Sequence, residues 1–383
     1  MNKKILVVGG GPAGSSAGIF LRKAGFQVDL FERGDENRDK ICGDGLTPGA
    51  LKFLDRLGVL EKVKSQALEV PSLTFFDLDG NPIKFENKCL TLKRSILDKI
   101  LRDELESLGG RIYYNTAIKK VQVLKNGVVL EDSDGKTYEG DMVVLATGAE
   151  NSLAKGLGLG SVNKYSIILM RGYTKNTIGC NSLDFYFHKD YFPNGAWVFP
   201  MSNNTLNIGV GAPNNDSYMS KNIEELMDRF LKLLNKKYQG SLEPLNSAHK
   251  WIINSGLKSS KSYSDRVLLC GENISSTHDF SGEGIAPSLK TGLYAANTII
   301  KANGDYSKES LSSYKDMVEK GVGPEHRIYK IMCWIITKKA GSRLTCWALR
   351  RFRRAKKLVE GVINETVPLE KGFISAIFYS RKL

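Results

Sequence analysis

The chain has 383 residues, 42% hydrophobic and 25% charged, the balance of a soluble globular protein long enough for two domains or one elaborated domain. No apolar run approaches the roughly 20 residues that span a bilayer, and no secretory leader precedes the first strand, so a cytoplasmic chain is expected. The net charge is +14, but residues 326–359 hold eleven lysines and arginines and no acid, which leaves +3 for everything else.

Residues 5–8 are a short apolar run fit for a central parallel strand. Gly9-x-Gly11-x-x-Gly14 follows at once, and Ala17, Phe20, Leu21 and Ala24 then recur at helical spacing until Gly25 ends the helix. Val28, Leu30 and Phe31 form a second strand that delivers Glu32 to its C-terminal end. Together these make a dinucleotide fingerprint in its required context. Gly9 permits the tight turn, Gly11 lets the backbone approach a pyrophosphate, and Gly14 lets helix and strand pack closely. The helix N-terminus offers free N–H groups to the phosphates. Glu32 is placed to accept from an adenosine ribose and would repel a 2′-phosphate, which disfavours NADP at this site.

Residues 155–161 (KGLGLGS) have the wrong spacing and no preceding strand for a second fingerprint. An electron donor, NAD(P)H or a reduced electron-transfer protein, is therefore expected to visit transiently. Alternation through GAWVFP (195–200) reads as a strand with Trp197 and Phe199 on one face, and residues 205–211 as its hairpin partner. Residues 266–272 are another apolar strand, ending in Gly271-Glu272. A second Gly-x-Gly, Gly282 and Gly284, then opens a helix with a small-residue face of Gly292, Ala295 and Ala296. From residue 326, Ile328, Ile331, Trp334, Ile335, Leu344, Trp347 and Leu358 recur near helical spacing among the cations. That pattern reads as a cationic amphipathic helix that either touches a membrane surface or caps the molecule. No nucleic-acid fold accompanies the charge, so nucleic acid is not an expected partner. Six cysteines without a C-x-x-C pair read as reduced thiols, and the four histidines carry no zinc signature, so no metal is expected.

Six stretches, in order, resemble FAD-dependent oxidoreductases of the geranylgeranyl reductase family, which share their fold with para-hydroxybenzoate hydroxylase. They are GGGPAGSSAG (9–18), KICGDGLTPGAL (40–51), LKRSILDKILRDEL (92–105), MVVLATGAENS (142–152), WVFP eight residues before GVG (197–211), and SGEGIAPSLKTGLYAA (281–296). The resemblance implies an α/β fold with a Rossmann-type FAD-binding domain assembled from residues 1–70, 93–160 and 260–320. It implies an inserted β-sheet substrate domain (71–92 and 161–259) and a helical, basic C-terminal region (321–383).

The resemblance also implies tight, non-covalent FAD. Its ADP half belongs to Gly9, Gly11, Pro12, Ala13, Gly14, Glu32 and Arg33. Its flavin half belongs to the second loop, Gly282, Gly284 and Ile285, where exposed N–H groups stabilise the negative charge of a reduced flavin. Cys42, Gly43 and Gly45 match a Cys-Gly-rich turn beside the flavin; Cys42 is a catalytic candidate or a small core residue. Arg94 falls on the family's cofactor arginine or is an exposed helix arginine, and Ile118 on a backbone contact to adenine or in an ordinary strand. Gly271 and Glu272 stand where the family has Gly-Asp on the ribityl chain, with the acid one methylene longer. NISSTHD (273–279) replaces the family's continuation, which leaves His278 and Asp279 as acid–base groups or as part of a surface loop.

The family's substrate signature is matched by Trp197, Phe199, Pro200, Gly209 and Gly211, with Gly195 in a tyrosine's place. This implies an apolar pocket over the flavin for an isoprenoid or lipid-like chain, whose carbon–carbon double bonds are saturated by hydride from reduced flavin. The alternatives are an FAD monooxygenase or halogenase acting on a small molecule, and a flavin-holding protein without turnover. The Trp-x-Trp-x-Ile-Pro run of halogenases is not present. A monomer is expected, cytoplasmic or peripheral at a membrane through residues 326–359.

Overall fold

Four consecutive apolar residues, Ile5 to Val8, leave the first strand no polar face, so it is stable only with both faces covered. In the computed structural model Lys4–Val8 is central in a six-stranded sheet, parallel to Gln27–Phe31 on one side and Met142–Leu145 on the other. Arg111–Tyr113 and Val267–Leu269 extend it in parallel, and Tyr263–Ser264 closes one edge antiparallel. The structure describes residues 3–160, 167–188, 195–213, 222–242 and 248–369. The parts of the substrate-domain and C-terminal assignments at 161–166, 189–194, 214–221, 243–247 and 370–383 lie outside these.

The helices Pro12–Lys23, Arg94–Ser107 and Ile285–Ala302 share one core with this sheet. The small-residue face of the last is what lets it approach the first. A Cβ on Gly292 would lie 2.3 Å from the Ala13 carbonyl oxygen, and Ala295 and Ala296 are fully buried. The two glycine loops, far apart in sequence, are thereby brought together.

An eight-stranded sheet holds, in order, His249–Ile253, Ile167–Lys175, Thr205–Pro213, Gly195–Met201, Leu183–Tyr186, Leu68–Phe76, Pro82–Thr91 and Gly45–Leu46. Residues 195–201 and 205–213 form the expected hairpin, in register Trp197 to Gly209 and Phe199 to Asn207. The period of two sorts its faces. Ala196, Val198, Ile208 and Val210 pack beneath the helix Ile223–Tyr238 through Leu226, Phe230 and Leu234. Trp197 and Phe199 therefore turn to the opposite face. A small three-stranded sheet, Ile118–Leu124, Gly127–Asp132 and Thr137–Gly140, flanks the first sheet.

The C-terminal region departs from the sequence reading. Residues 326–359 form parts of three helices, Gly323–Ile336, Lys339–Arg351 and Arg353–Ile363, where one was expected. The chain is extended at Lys338 and again at Phe352. These breaks let Cys346, Leu349, Val359 and Ile363 fold onto Val70, Ile83 and Phe85 of the large sheet, which one straight helix could not do. No helix among the described residues is long and apolar enough to cross a membrane.

Candidate cofactor site and the sheet face beside it

Gly9 takes φ +109°, and a Cβ on it would lie 2.3 Å from the Ala146 carbonyl oxygen; on Gly14 it would lie 2.0 Å from the Gly9 carbonyl oxygen. Backbone contact thus confines both positions to glycine. Gly11 is different. The nearest atoms to its Cβ position are Arg38 Nη2 at 3.8 Å and Arg94 Nη2 at 3.9 Å, so its backbone borders space edged by two guanidinium groups. Gly11 also caps the helix that begins with Pro12 and Ala13, whose first N–H groups have no partner within the helix. Free N–H groups, a bare glycine and two arginines fit a diphosphate.

Glu32 is buried, and its carboxylate accepts from Gly10 N–H at 2.9 Å and Gly34 N–H at 2.9 Å, with Arg38 Nε at 3.3 Å. Thr116 N–H donates to the Glu32 carbonyl, which brings the start of the Ile118 strand alongside. Arg33 points elsewhere: it is exposed, with its guanidinium over Trp251 at 5.9 Å.

Arg94 is not an exposed helix arginine. It is buried and bidentate on Asp98, at 2.9 and 2.8 Å. Burial pushes the Asp98 carboxyl up, but Arg94, Arg38 and Arg102 together hold it below its ordinary value. Arg102 is fully buried and donates to the Gly10 carbonyl at 3.1 Å and the Glu36 carbonyl at 2.6 Å. Arg38 and Arg102 were not read from the sequence. The signal for Arg102 was present, since Arg94, Asp98 and Arg102 follow at four-residue steps along one helix face.

The turn from Cys42 to Thr47 lies between the two glycine sites. Cys42 sits beside Arg94, and burial pushes its thiol up despite that cation, so it is a thiol rather than a thiolate. Its carbonyl accepts from Asn207 Nδ2 at 2.8 Å and Arg171 Nε at 3.2 Å. Gly43 and Gly45 lie beneath Phe199, 3.0 and 3.5 Å from their Cβ positions to Cε2. At the other end Thr47 hydrogen-bonds Glu283, between Gly282 and Gly284.

Gly271 takes φ +62° and packs on Ala13, while the adjoining Glu272 pairs with Lys40 at 2.8 Å and accepts from Asn254 N–H at 2.9 Å. Glu272 therefore already has two partners for its longer side chain. Gly282 takes φ +67° in open space. Gly284 caps the helix that starts at Ile285.

His278 does not lie on a surface loop. It is 3% exposed, its ring 4.5 Å from that of Tyr329 and 4.9 Å from that of His326. Its Nε2 lies 3.5 Å from a Glu325 carboxylate oxygen, and neither ring nitrogen makes a hydrogen bond among the described residues. The structure thus joins His278 to the C-terminal helix Gly323–Ile336 rather than to Asp279.

On the large sheet Trp197 lies flat over Gly209, where a Cβ would fall 1.9 Å from its ring, and its Nε1 donates to Asn207 Oδ1 at 2.9 Å. Pro200 is out of phase with this face in the pleat, and its carbonyl accepts from Thr91 at 2.6 Å. From Trp197 the rings continue without a gap. Centroid steps of 6.5, 5.0, 5.3, 5.8, 6.5 and 6.3 Å lead through Phe199, Phe185, Phe75, Phe187 and Phe280 to Tyr329. Among the described residues no cluster of His, Cys, Asp and Glu is placed to hold a metal.

Residues 2–317 match the model of a family described as FAD binding domain. The chain is 26% identical over 330 residues to digeranylgeranylglycerophospholipid reductase 1 of Methanosphaera stadtmanae, a match covering 81% of this chain and 78% of that protein. It is 25% identical over 343 residues to menaquinone reductase of Mycolicibacterium smegmatis, covering 85% and 83%. In fold it is similar to a geranylgeranyl bacteriochlorophyll reductase-like protein from Thermoplasma acidophilum, with a TM-score of 0.81, 20% identity, and coverage of 97% and 95%. The chain belongs to the FAD binding domain family and is an FAD-dependent oxidoreductase.

Proposed function

We propose that this protein saturates carbon–carbon double bonds in an isoprenoid or lipid-like chain. The line of rings from Trp197 to Tyr329 carries the reading, because it pairs a long apolar wall with a flavin site. The names of the two relatives support it, since both a digeranylgeranyl lipid and menaquinone carry isoprenoid chains. FAD, when bound, supplies hydride; the donor that reduces it, NAD(P)H or an electron-transfer protein, visits transiently.

The residues divide the remaining work. Gly11, the N-terminus at Pro12 and Ala13, Arg38 and Arg94 hold the diphosphate. Glu32 shapes the loop and accepts from the ribose with its remaining lone pairs. The helix N-terminus at Gly284 and Ile285 stabilises charge at the flavin end. Trp197 and Phe199 form a wall that favours a cation-like alkene without attacking it as a nucleophile. Cys42, protonated as the structure holds it, does not compete for that carbon.

We further infer that substrate is met at a membrane surface. Trp334, Leu344 and Trp347 are 62, 65 and 55% exposed on two consecutive helices, with exposed Lys338 at the break between them and exposed Lys339, Arg343 and Arg351 on the second. Exposed tryptophans set among cations suit an anionic headgroup layer. The same helix Gly323–Ile336 carries Tyr329 at the end of the aromatic line, so surface and site are one continuous element.

The test incubates anaerobic, chemically reduced enzyme with prenyl and polyene lipids and weighs the products. A gain of two hydrogens per double bond without oxygen is expected. A product formed only with oxygen, and heavier by one oxygen atom, would make the monooxygenase reading the correct one.

A further inference from the structure

Asp44 has no task in the reading so far, yet the fold holds it unusually. It is 0% exposed and adopts φ +62°, a left-handed backbone uncommon outside glycine. Its Oδ2 meets the Tyr173 hydroxyl at 2.5 Å and accepts from Asn207 Nδ2 at 2.8 Å. Its Oδ1 is buried with no hydrogen-bond partner among the described residues. Burial raises its pKa to about 6, against the pull of Arg171, Tyr173 and Asn207 and with a further push from Asp39. Cys42 is the other titratable neighbour, and it is a thiol.

Tyr173 is the part-exposed end of this pair. Arg171 lies 4.3 Å and Lys93 4.7 Å from its ring centre. Register sets Tyr173 opposite Asn207, and Asn207 opposite Phe199, so the phenol shares a row of the sheet with the aromatic wall. Gly195, which stands where the family has a tyrosine, offers no hydroxyl to that wall.

We propose that Tyr173 and Asp44 form the proton relay of this site, Tyr173 as the catalytic acid and Asp44 as the positioning residue that reprotonates it; the proposal rests on the reductase reading. The Tyr173 O–H bond breaks and its proton forms a new C–H bond at one alkene carbon. Hydride, with its electron pair, forms the C–H bond at the other carbon, so the substrate gains two electrons and the reduced cofactor loses two. The Tyr173 phenolate then takes the proton of the Asp44 carboxyl. Arg171 compensates the carboxylate until water restores the proton.

Two measurements test the relay. Infrared difference spectra of the protein without substrate, between pH 5 and pH 8, are expected to show a buried carboxyl band that titrates near pH 6 and is missing in Asp44→Asn. Single-turnover oxidation of the reduced flavin by alkene is expected to slow as pH rises through that value. The pH dependence is lost in Asp44→Asn, and Tyr173→Phe slows the step on the order of 10²-fold with flavin content unchanged. A reductase whose Asp44→Asn variant keeps the wild-type pH profile, or whose Tyr173→Phe variant keeps its rate, overturns the relay alone. A wild-type enzyme that saturates no alkene overturns the reductase reading and takes the relay with it. If Asp44→Asn does not fold, Tyr173→Phe, which removes one hydroxyl, decides the matter by its rate.

Discussion

Glu32 is a residue whose position was legible in the sequence and whose contacts were not. Its place at the end of the second strand marks it as a ribose acceptor by spacing alone. The structure adds that it receives Gly10 and Gly34 N–H groups and pairs with Arg38, so it also holds the first glycine loop in shape. Glu32→Ala leaves buried donors unpaired and is expected to weaken FAD retention by on the order of 1–3 kcal/mol. Flavin released per mole of protein on dialysis measures it, and Glu32→Gln, which keeps one acceptor, should lose less. Arg38 escaped the sequence reading for a physical reason. It lies in a loop, and its partners Glu32 and Asp98 come from two other elements, so no local spacing announces it.

Period-two alternation at 195–201 describes a pleated strand, and the hairpin it implies is present because both strands must hide one face beneath the helix Ile223–Tyr238. Helical periodicity at 326–359 was less informative, since it cannot register one extended residue at Lys338 or Phe352. The docking of Gly323–Ile336 on the segment leading into the second glycine loop is an element-scale contact with its own pH dependence. Burial, and next the charge of His278, lower the His326 pKa to about 4, so the fold holds this imidazole neutral. Its ordinary value is about 6.5. A lowered value means the unfolded chain binds the proton more readily, so this contribution is complete above about 6.5 and is lost as pH falls through about 4, at most about 3 kcal/mol. Cleavage by protease near residues 337–338 is expected to rise across that window. His326→Gln should flatten the rise.

The uneven charge acts at the scale of the whole molecule. With residues 326–359 carrying eleven of the net fourteen positive charges, one side of the protein should bind anionic vesicles and release as salt screens it. Glutamine at Lys339, Arg343 and Arg351, and separately serine at Trp334 and Trp347, should each reduce vesicle sedimentation with flavin content unchanged. Arg350 is left out of the set because Asp77 already holds it at 2.5 Å. Equal binding to neutral vesicles, or none to either, would remove the membrane from the reading. Sequence by itself determined the α/β class, the dinucleotide loop, the hairpin with Trp197 and Phe199, and the second glycine loop. Each of these is written in a period or spacing of a few residues, which local backbone geometry reads directly. Only the tertiary structure decided that Gly292 brings the two loops together and that Arg38 joins the helix arginines at Asp98. It alone buried His278 under the C-terminal helix and set Asp44 against Tyr173. Those contacts join residues 50 to 300 positions apart, and they follow from which faces must be buried against which, a condition no local pattern contains.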